Sequence, residues 1–268
     1  MLYEKIDEKE KKAQERFFIK FLNFIALDNL LKGRIGYAMV TGMSQKVDLV
    51  AICLKRVFTE EKKVKALLLT QTHGLVWVYS SIAGKARQRL ELLTPGVLGS
   101  FSLRIQKAHQ AVFYQGEVIE SFFHLKQDYT KIEVYQKILY HIDQTQWQKK
   151  DLKNLFALIV FCFRALAFQD PKAVEAIFLI KLLMHEGVLG LELRCVECGC
   201  MLKHTYRLGG EVFCHQHALP GSKMYSMQEE QVIYHLAMTR NKQEVFKKEV
   251  SQSLLDKLQF CFSIALTS

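Results

Sequence analysis

Proline is scarce. Pro95, Pro171 and Pro220 are the only three in 268 residues, and no Ser/Gly-rich stretch separates one part of the chain from another. A domain boundary must therefore show itself as a change of periodicity. Long apolar runs are missing too. The richest early stretch, residues 17–31, is broken by Lys20, Asn23 and Asp28, short of what a bilayer-spanning helix needs. The N-terminus also lacks the short basic region before an apolar core that marks a secretory signal: Glu4, Lys5, Asp7, Glu8, Lys9, Glu10, Lys11 and Lys12 mix both signs. These absences make the cytosol the expected compartment. Stable disulfides are rare under reducing conditions, so the seven cysteines read as ligands and buried thiols.

The common catalytic signatures are absent as well. There is no GxxxxGK[ST] phosphate loop, no HExxH zinc helix, no GxSxG elbow, and no GxGxxG following a strand. A non-enzyme is the expectation. What the chain does have is material for a core: 50% of its residues are hydrophobic and 24% charged, a balance that folds.

The periodicity changes near residue 122. From about residue 47, short runs rich in Val, Ile, Leu, Phe and Tyr alternate with charged or Gly-containing turns. The runs VDLVAICLKRV, VKALLLT, LVWVYSSIA, VLGSFSLRIQ and AVFYQGEVIESF read as five strands of a small barrel. Beyond residue 122 the pattern is helical, with Ile132, Tyr135, Ile138, Leu139 and Ile142 on one helix face. The fold class expected is α+β: an N-terminal OB-fold barrel over 43–122, then a helical domain over 123–268 with an inserted zinc knuckle at 195–217. Residues 1–42 stand apart. They read either as an appended helix or as the product of a start site placed upstream of a true start at Met43.

Four of the seven cysteines fall between positions 195 and 214. CVEC at 195–198 and CHQH at 214–217 form two paired-ligand knuckles, which makes Cys195, Cys198, Cys214 and His217 the candidate ligands of one structural zinc ion. Cys200, His204 and His215 are near enough in sequence to be second choices. Three thiolates and an imidazole suit zinc and leave no open coordination position, so the site reads as a clamp. Cys53, Cys162 and Cys261 each sit singly in an apolar run, as buried thiols do.

The formal net charge is +10 and the sequence pI about 9.2, which points to an anionic partner. The excess is concentrated. Between Lys46 and Gln110 there are eleven basic residues against four acidic ones. IAGKARQRL places Lys85, Arg87 and Arg89 at alternate positions, so an extended loop would display all three on one side. Lys55, Arg56 and Arg104 belong to the same basic region. Trp77, Tyr79 and Phe101 are candidate platforms for bases, with core packing as the competing reading.

The order of parts resembles the RecO family of bacterial DNA repair proteins: a small basic OB-fold, then a helical domain carrying a zinc knuckle. THGLVWVYSSIAGKAR looks like the family's strand-turn-strand region ending in a basic loop. LIKLLMHEGVLGLELRCVECG and GGEVFCHQH look like its two approaches to the metal ligands. The resemblance covers roughly residues 43–268, and His217 stands where many members have a fourth cysteine. It implies a recombination mediator of the RecF pathway that binds single- and double-stranded DNA and anneals strands. Such a protein acts with RecR and the single-stranded DNA-binding protein, and helps load RecA, in association with the nucleoid. A zinc-ribbon transcriptional or RNA-binding module is the alternative function.

Overall fold

The computed structural model describes residues 45–59, 63–81, 90–107, 110–146, 152–239, 241 and 244–267. The basic loop residues Lys85, Arg87 and Arg89, and the whole of 1–42, lie outside the described residues. The chain divides into two compact units, one ending at Ala167 and the other comprising Phe168–Ser268.

The first unit is built on five strands: β1 (Gln45–Thr59), β2 (Lys63–Thr70), β3 (Gly74–Ser81), β4 (Leu98–Lys107) and β5 (Gln110–Glu120). They close into a barrel in the order β1-β2-β3-β5-β4, as in an OB-fold. All neighbours are antiparallel except β3 and β5, which run parallel and, among the described residues, pair through Trp77, Val78 and Tyr79. Alternation supplies the core. Ala51, Cys53, Val64, Ala66, Leu68, Val76, Val78, Phe101 and Leu103 point inward and are buried. Phe101, one of the candidate base platforms, is fully buried and meets Phe113 edge-on at 6.4 Å. Leu92 and Leu93, in and just beyond a helical turn at 90–92, join this core.

A 3-10 turn (Phe123–Gln127) leads to α1 (Tyr129–Thr145) and α2 (Lys153–Ala165), which complete the first unit. Asp128 caps α1 by accepting from the amides of Thr130 and Lys131. Two ion pairs tie these helices to the barrel: Lys55 with Asp143 at 2.6 Å, and Arg164 with Glu120 at 2.9 Å. The Tyr135 hydroxyl donates to the Pro95 carbonyl, and its ring packs on Phe163 at 4.5 Å.

The second unit is centred on α3 (Pro171–His185), which is buried on nearly every side, as its almost unbroken apolar sequence requires. Asp170 caps it and Pro171 occupies its first turn. It packs against α4 (Met227–Met238) and α5 (Gln252–Thr267). Ser226 and Glu229 form a reciprocal capping box on α4, and Glu229 also holds Lys257 of α5 at 2.6 Å. Between α3 and α4 lies a small sheet of β6 (Thr205–Leu208), β7 (Glu211–Phe213) and β8 (Lys223–Tyr225), in the order β7-β6-β8. Among the described residues, no helix is long and apolar enough to cross a membrane.

Candidate metal centre and nucleic-acid interface

The first site stands at one end of the small sheet. Cys195 opens a turn in which its carbonyl accepts from the amide of Gly199 at 2.8 Å, while its own amide donates to the Cys200 carbonyl at 3.0 Å. Gly199 makes the turn possible, with φ at +69°, a conformation that L side chains resist. The turn is anchored to β7 by the Val196 amide, which donates to the Val212 carbonyl at 2.9 Å. That strand ends at Phe213, so the next residue, Cys214, emerges beside the turn. A second turn, closed by the His217 amide on the Cys214 carbonyl, brings in the imidazole.

Cys195, Cys198, Cys214 and His217 thereby converge, their ligand atoms all within 4.8 Å of one another. His217 Nδ1 lies 3.2 Å from the Cys214 sulfur and 3.7 Å from that of Cys195, and the Cys198 and Cys214 sulfurs are 4.0 Å apart. A tetrahedral ion with Zn–S near 2.3 Å and Zn–N near 2.0–2.1 Å needs donor separations of about 3.5–3.8 Å, which the separations of 3.2, 3.7 and 4.0 Å bracket, so the donor set fits a zinc ion in size and chemistry. Burial pushes the Cys195 thiol up. The backbone amides of Cys198, Cys214 and Glu197, with the Cys198 thiol, outweigh that and hold it down to about 6, making it a ready thiolate. The second-choice residues are outside this group of four. His215 packs edge-on against Tyr206, His204 is exposed, and the Cys200 sulfur sits 3.3 Å from that of Cys198. The three isolated cysteines are in a different condition. Burial drives their thiols upward, to about 12 for Cys53 and about 11 for Cys261, so they stay protonated.

Sequence reasoning missed the frame that carries these turns. Arg207 of β6 and Glu230 of α4 form a buried, two-pronged ion pair, Nε to Oε1 at 2.8 Å and Nη2 to Oε2 at 2.9 Å. Thr205 also donates to Glu230, and Arg207 reaches the Gly190 carbonyl at 3.0 Å. Beside them, the β6–β7 turn passes so near Val188 that a Cβ on Gly210 would lie 1.4 Å from its carbonyl oxygen. The signal was available in part: Thr205 and Arg207 share one strand face, with apolar Val212 and Phe213 following the Gly pair.

The second site is the outside of the barrel. One continuous register row passes from strand to strand as Val57, Lys65, Tyr79, Val112, Arg104 and Lys46, starting and ending on β1. Lys46 and Arg104 are exposed and Lys65 is half-buried. Aromatic faces hold the lysines. Lys65 Nζ sits 4.0 Å from the centre of the Trp77 ring and 5.6 Å from that of Tyr79, and Lys46 Nζ sits 4.8 Å from that of Tyr114. The remaining candidates differ. Lys55 lies 5.5 Å from the Trp77 ring but is paired with Asp143. Arg56 shares a register row with the core residues Ala66 and Val78, and its guanidinium donates to the Leu90 carbonyl at 2.7 Å, which makes it part of the barrel's framework.

No protein-family model matches the chain. Curated relatives do. The chain is 30% identical over 181 residues to DNA repair protein RecO of Chlamydia muridarum, a match spanning 66% of this chain and 77% of that one. It is 30% identical over 158 residues to the protein of the same name from Chlamydia trachomatis serovar D, covering 65% of it. The Chlamydia pneumoniae protein, again DNA repair protein RecO, is 30% identical over 145 residues, 58% of its length. With a barrel in OB-fold order, helices behind it in the chain, a Cys/His cluster between two of them and these relatives, the chain belongs to the RecO family of DNA repair proteins.

Proposed function

We propose that this protein binds DNA along the outer face of its barrel and acts in DNA repair as a non-catalytic recombination mediator. The observation that carries the reading is the register row from Lys65 through Tyr79 and Arg104 to Lys46. It sets cations and aromatic rings side by side on one continuous surface. Such a surface neutralises phosphates without reading sequence, and the rings offer faces to unpaired bases. Lys85, Arg87 and Arg89, which follow β3 in the sequence, are further candidate contacts, with Lys55 as a weaker contributor. In this reading the mediator engages single- and double-stranded DNA and anneals complementary strands. With RecR it relieves the single-stranded DNA-binding protein and helps RecA load, in the RecF pathway at the nucleoid.

Zinc is the metal proposed for Cys195, Cys198, Cys214 and His217. Bound there it would supply only a cross-link, since four protein donors complete its shell. This chain's own part is to present the donors: the amides around Cys195 favour its thiolate, and Val196 ties the first turn to β7.

The test is binding of a labelled oligonucleotide across a salt series. Replacing Lys46, Lys65 and Arg104 by Ala together removes up to three phosphate contacts. The slope of log affinity against log salt should then flatten by roughly 2 for single-stranded DNA. An unchanged slope removes the barrel face from the reading. Annealing of strands coated with the single-stranded DNA-binding protein tests the mediator role, and its absence would leave DNA binding alone.

A further inference from the structure

Cys200 has no part in the proposed zinc site, yet its sulfur lies 3.3 Å from that of Cys198, and both residues are exposed. A disulfide needs about 2.05 Å between sulfurs, so little over an ångström separates the two thiols from a bond. The turn already holds their backbones together, because the amide of Cys195 donates to the Cys200 carbonyl and that of Gly199 to the Cys195 carbonyl. Cys195 is buried and Cys214 half-buried, so the exposed pair is where an oxidant meets the cluster first.

We propose that Cys198 and Cys200 form a peroxide-sensitive pair that releases the metal. This rests on the zinc reading above. The oxidant is hydrogen peroxide. The Cys200 sulfur attacks one peroxide oxygen, the O–O bond breaks, and a sulfenic acid and water form. The Cys198 sulfur then attacks the Cys200 sulfur, an S–S bond replaces the S–O bond, and a second water leaves with the remaining proton. Two thiols are oxidised by two electrons and one peroxide is reduced to two waters. Cys198 is thereby lost as a thiolate donor, and three donors remain for the ion. Reduction by a dithiol restores the fourth.

The experiment treats the full-length, zinc-loaded protein with hydrogen peroxide, follows zinc with a chromogenic chelator, and maps disulfides by mass spectrometry. Cleavage after Arg194 and Lys203 yields one peptide, residues 195–203, that contains Cys195, Cys198 and Cys200. The expected result is zinc release accompanied by loss of two hydrogens from that peptide, with fragment ions joining Cys198 to Cys200 and Cys195 alone open to alkylation. Cys200→Ser should bind zinc one to one and release it roughly tenfold more slowly at the same peroxide dose. Equal release from both proteins, or a bond that joins Cys195 instead, overturns the proposal. So does a Cys200→Ser protein that cannot hold zinc, since Cys200 would then be a ligand. Untreated protein without zinc would defeat the zinc reading instead, and the peptide map would still report whether the pair forms.

Discussion

Removing the carboxylate of Glu230 should damage the second unit more than any exposed substitution. Glu230 and Arg207 are 4% and 2% exposed. In Glu230→Ala, Arg207 loses its Nε and Nη2 partners, and Thr205 loses the acceptor of its hydroxyl. The guanidinium keeps the Gly190 carbonyl at 3.0 Å, a longer contact to Gly210 at 3.4 Å, and the Tyr225 ring at 5.8 Å. A buried cation stripped of its anion costs about 3–5 kcal/mol, and these contacts place the expected loss near the middle of that range. With a urea dependence of about 2 kcal/mol per molar, a loss of roughly 4 kcal/mol lowers the unfolding midpoint by about 2 M. Urea titration of the zinc-loaded protein by circular dichroism reads this directly. Arg207→Met leaves the carboxylate buried and should cost a similar amount. The double variant Arg207→Met with Glu230→Leu removes both charges and should be more stable than either single variant. A loss below about 1 kcal/mol for Glu230→Ala, or a double variant as poor as the sum of the singles, would refute the reasoning.

Other perturbations follow from the same structure. Cys195→Ser should abolish zinc binding and lower the thermal midpoint of the second unit, read by metal analysis and calorimetry, while chelation of the native protein reproduces the loss. Gly210→Ala forces a Cβ against the Val188 carbonyl and should cost more than about 3 kcal/mol, seen as loss of soluble protein or of the cooperative transition. Lys181 is buried in α3, donates to the Ala237 carbonyl, and burial lowers its pKa to about 7. The unfolded chain binds this proton more tightly, so the penalty is complete below pH 7 and fades as pH rises toward the ordinary value of 10.5. Lys181→Met should therefore stabilise the protein by about 1–3 kcal/mol at neutral pH, with the gain shrinking in alkaline denaturation series.

The barrel was legible because its strands are half-buried surfaces with a period of two, and each of the five runs read from the sequence lies within two residues of an observed strand. The cluster of Cys195, Cys198, Cys214 and His217 was legible because each pair sits within one turn, where spacing alone dictates proximity. Arg56 was not. Its strand carries an irregularity between Cys53 and Lys55 that changes which residues face outward, and nothing in the sequence marks it. Counting basic residues could not show that Arg56 donates to the Leu90 carbonyl or that Lys55 is paired with Asp143. The sheet β7-β6-β8 escaped because strands of three or four residues are too short to show alternation. Arg207 and Glu230 are 23 residues apart, and only the folded chain reveals that each answers the other.

The parallel junction of β3 with β5 gives the barrel a seam. Among the described residues three of β3 hold it, Trp77, Val78 and Tyr79, whereas β2 pairs with β3 along its full length. Amides at this junction should exchange with solvent earlier than those of β1 and β2, since fewer bonds must break together for the barrel to part there. The proposed DNA face straddles that seam, with Tyr79 on one bank and Val112 and Arg104 on the other. A strand lying across it would act as a suture. Bound DNA should accordingly slow exchange most at residues 110–112, turning the least secured joint of the barrel into its most protected one.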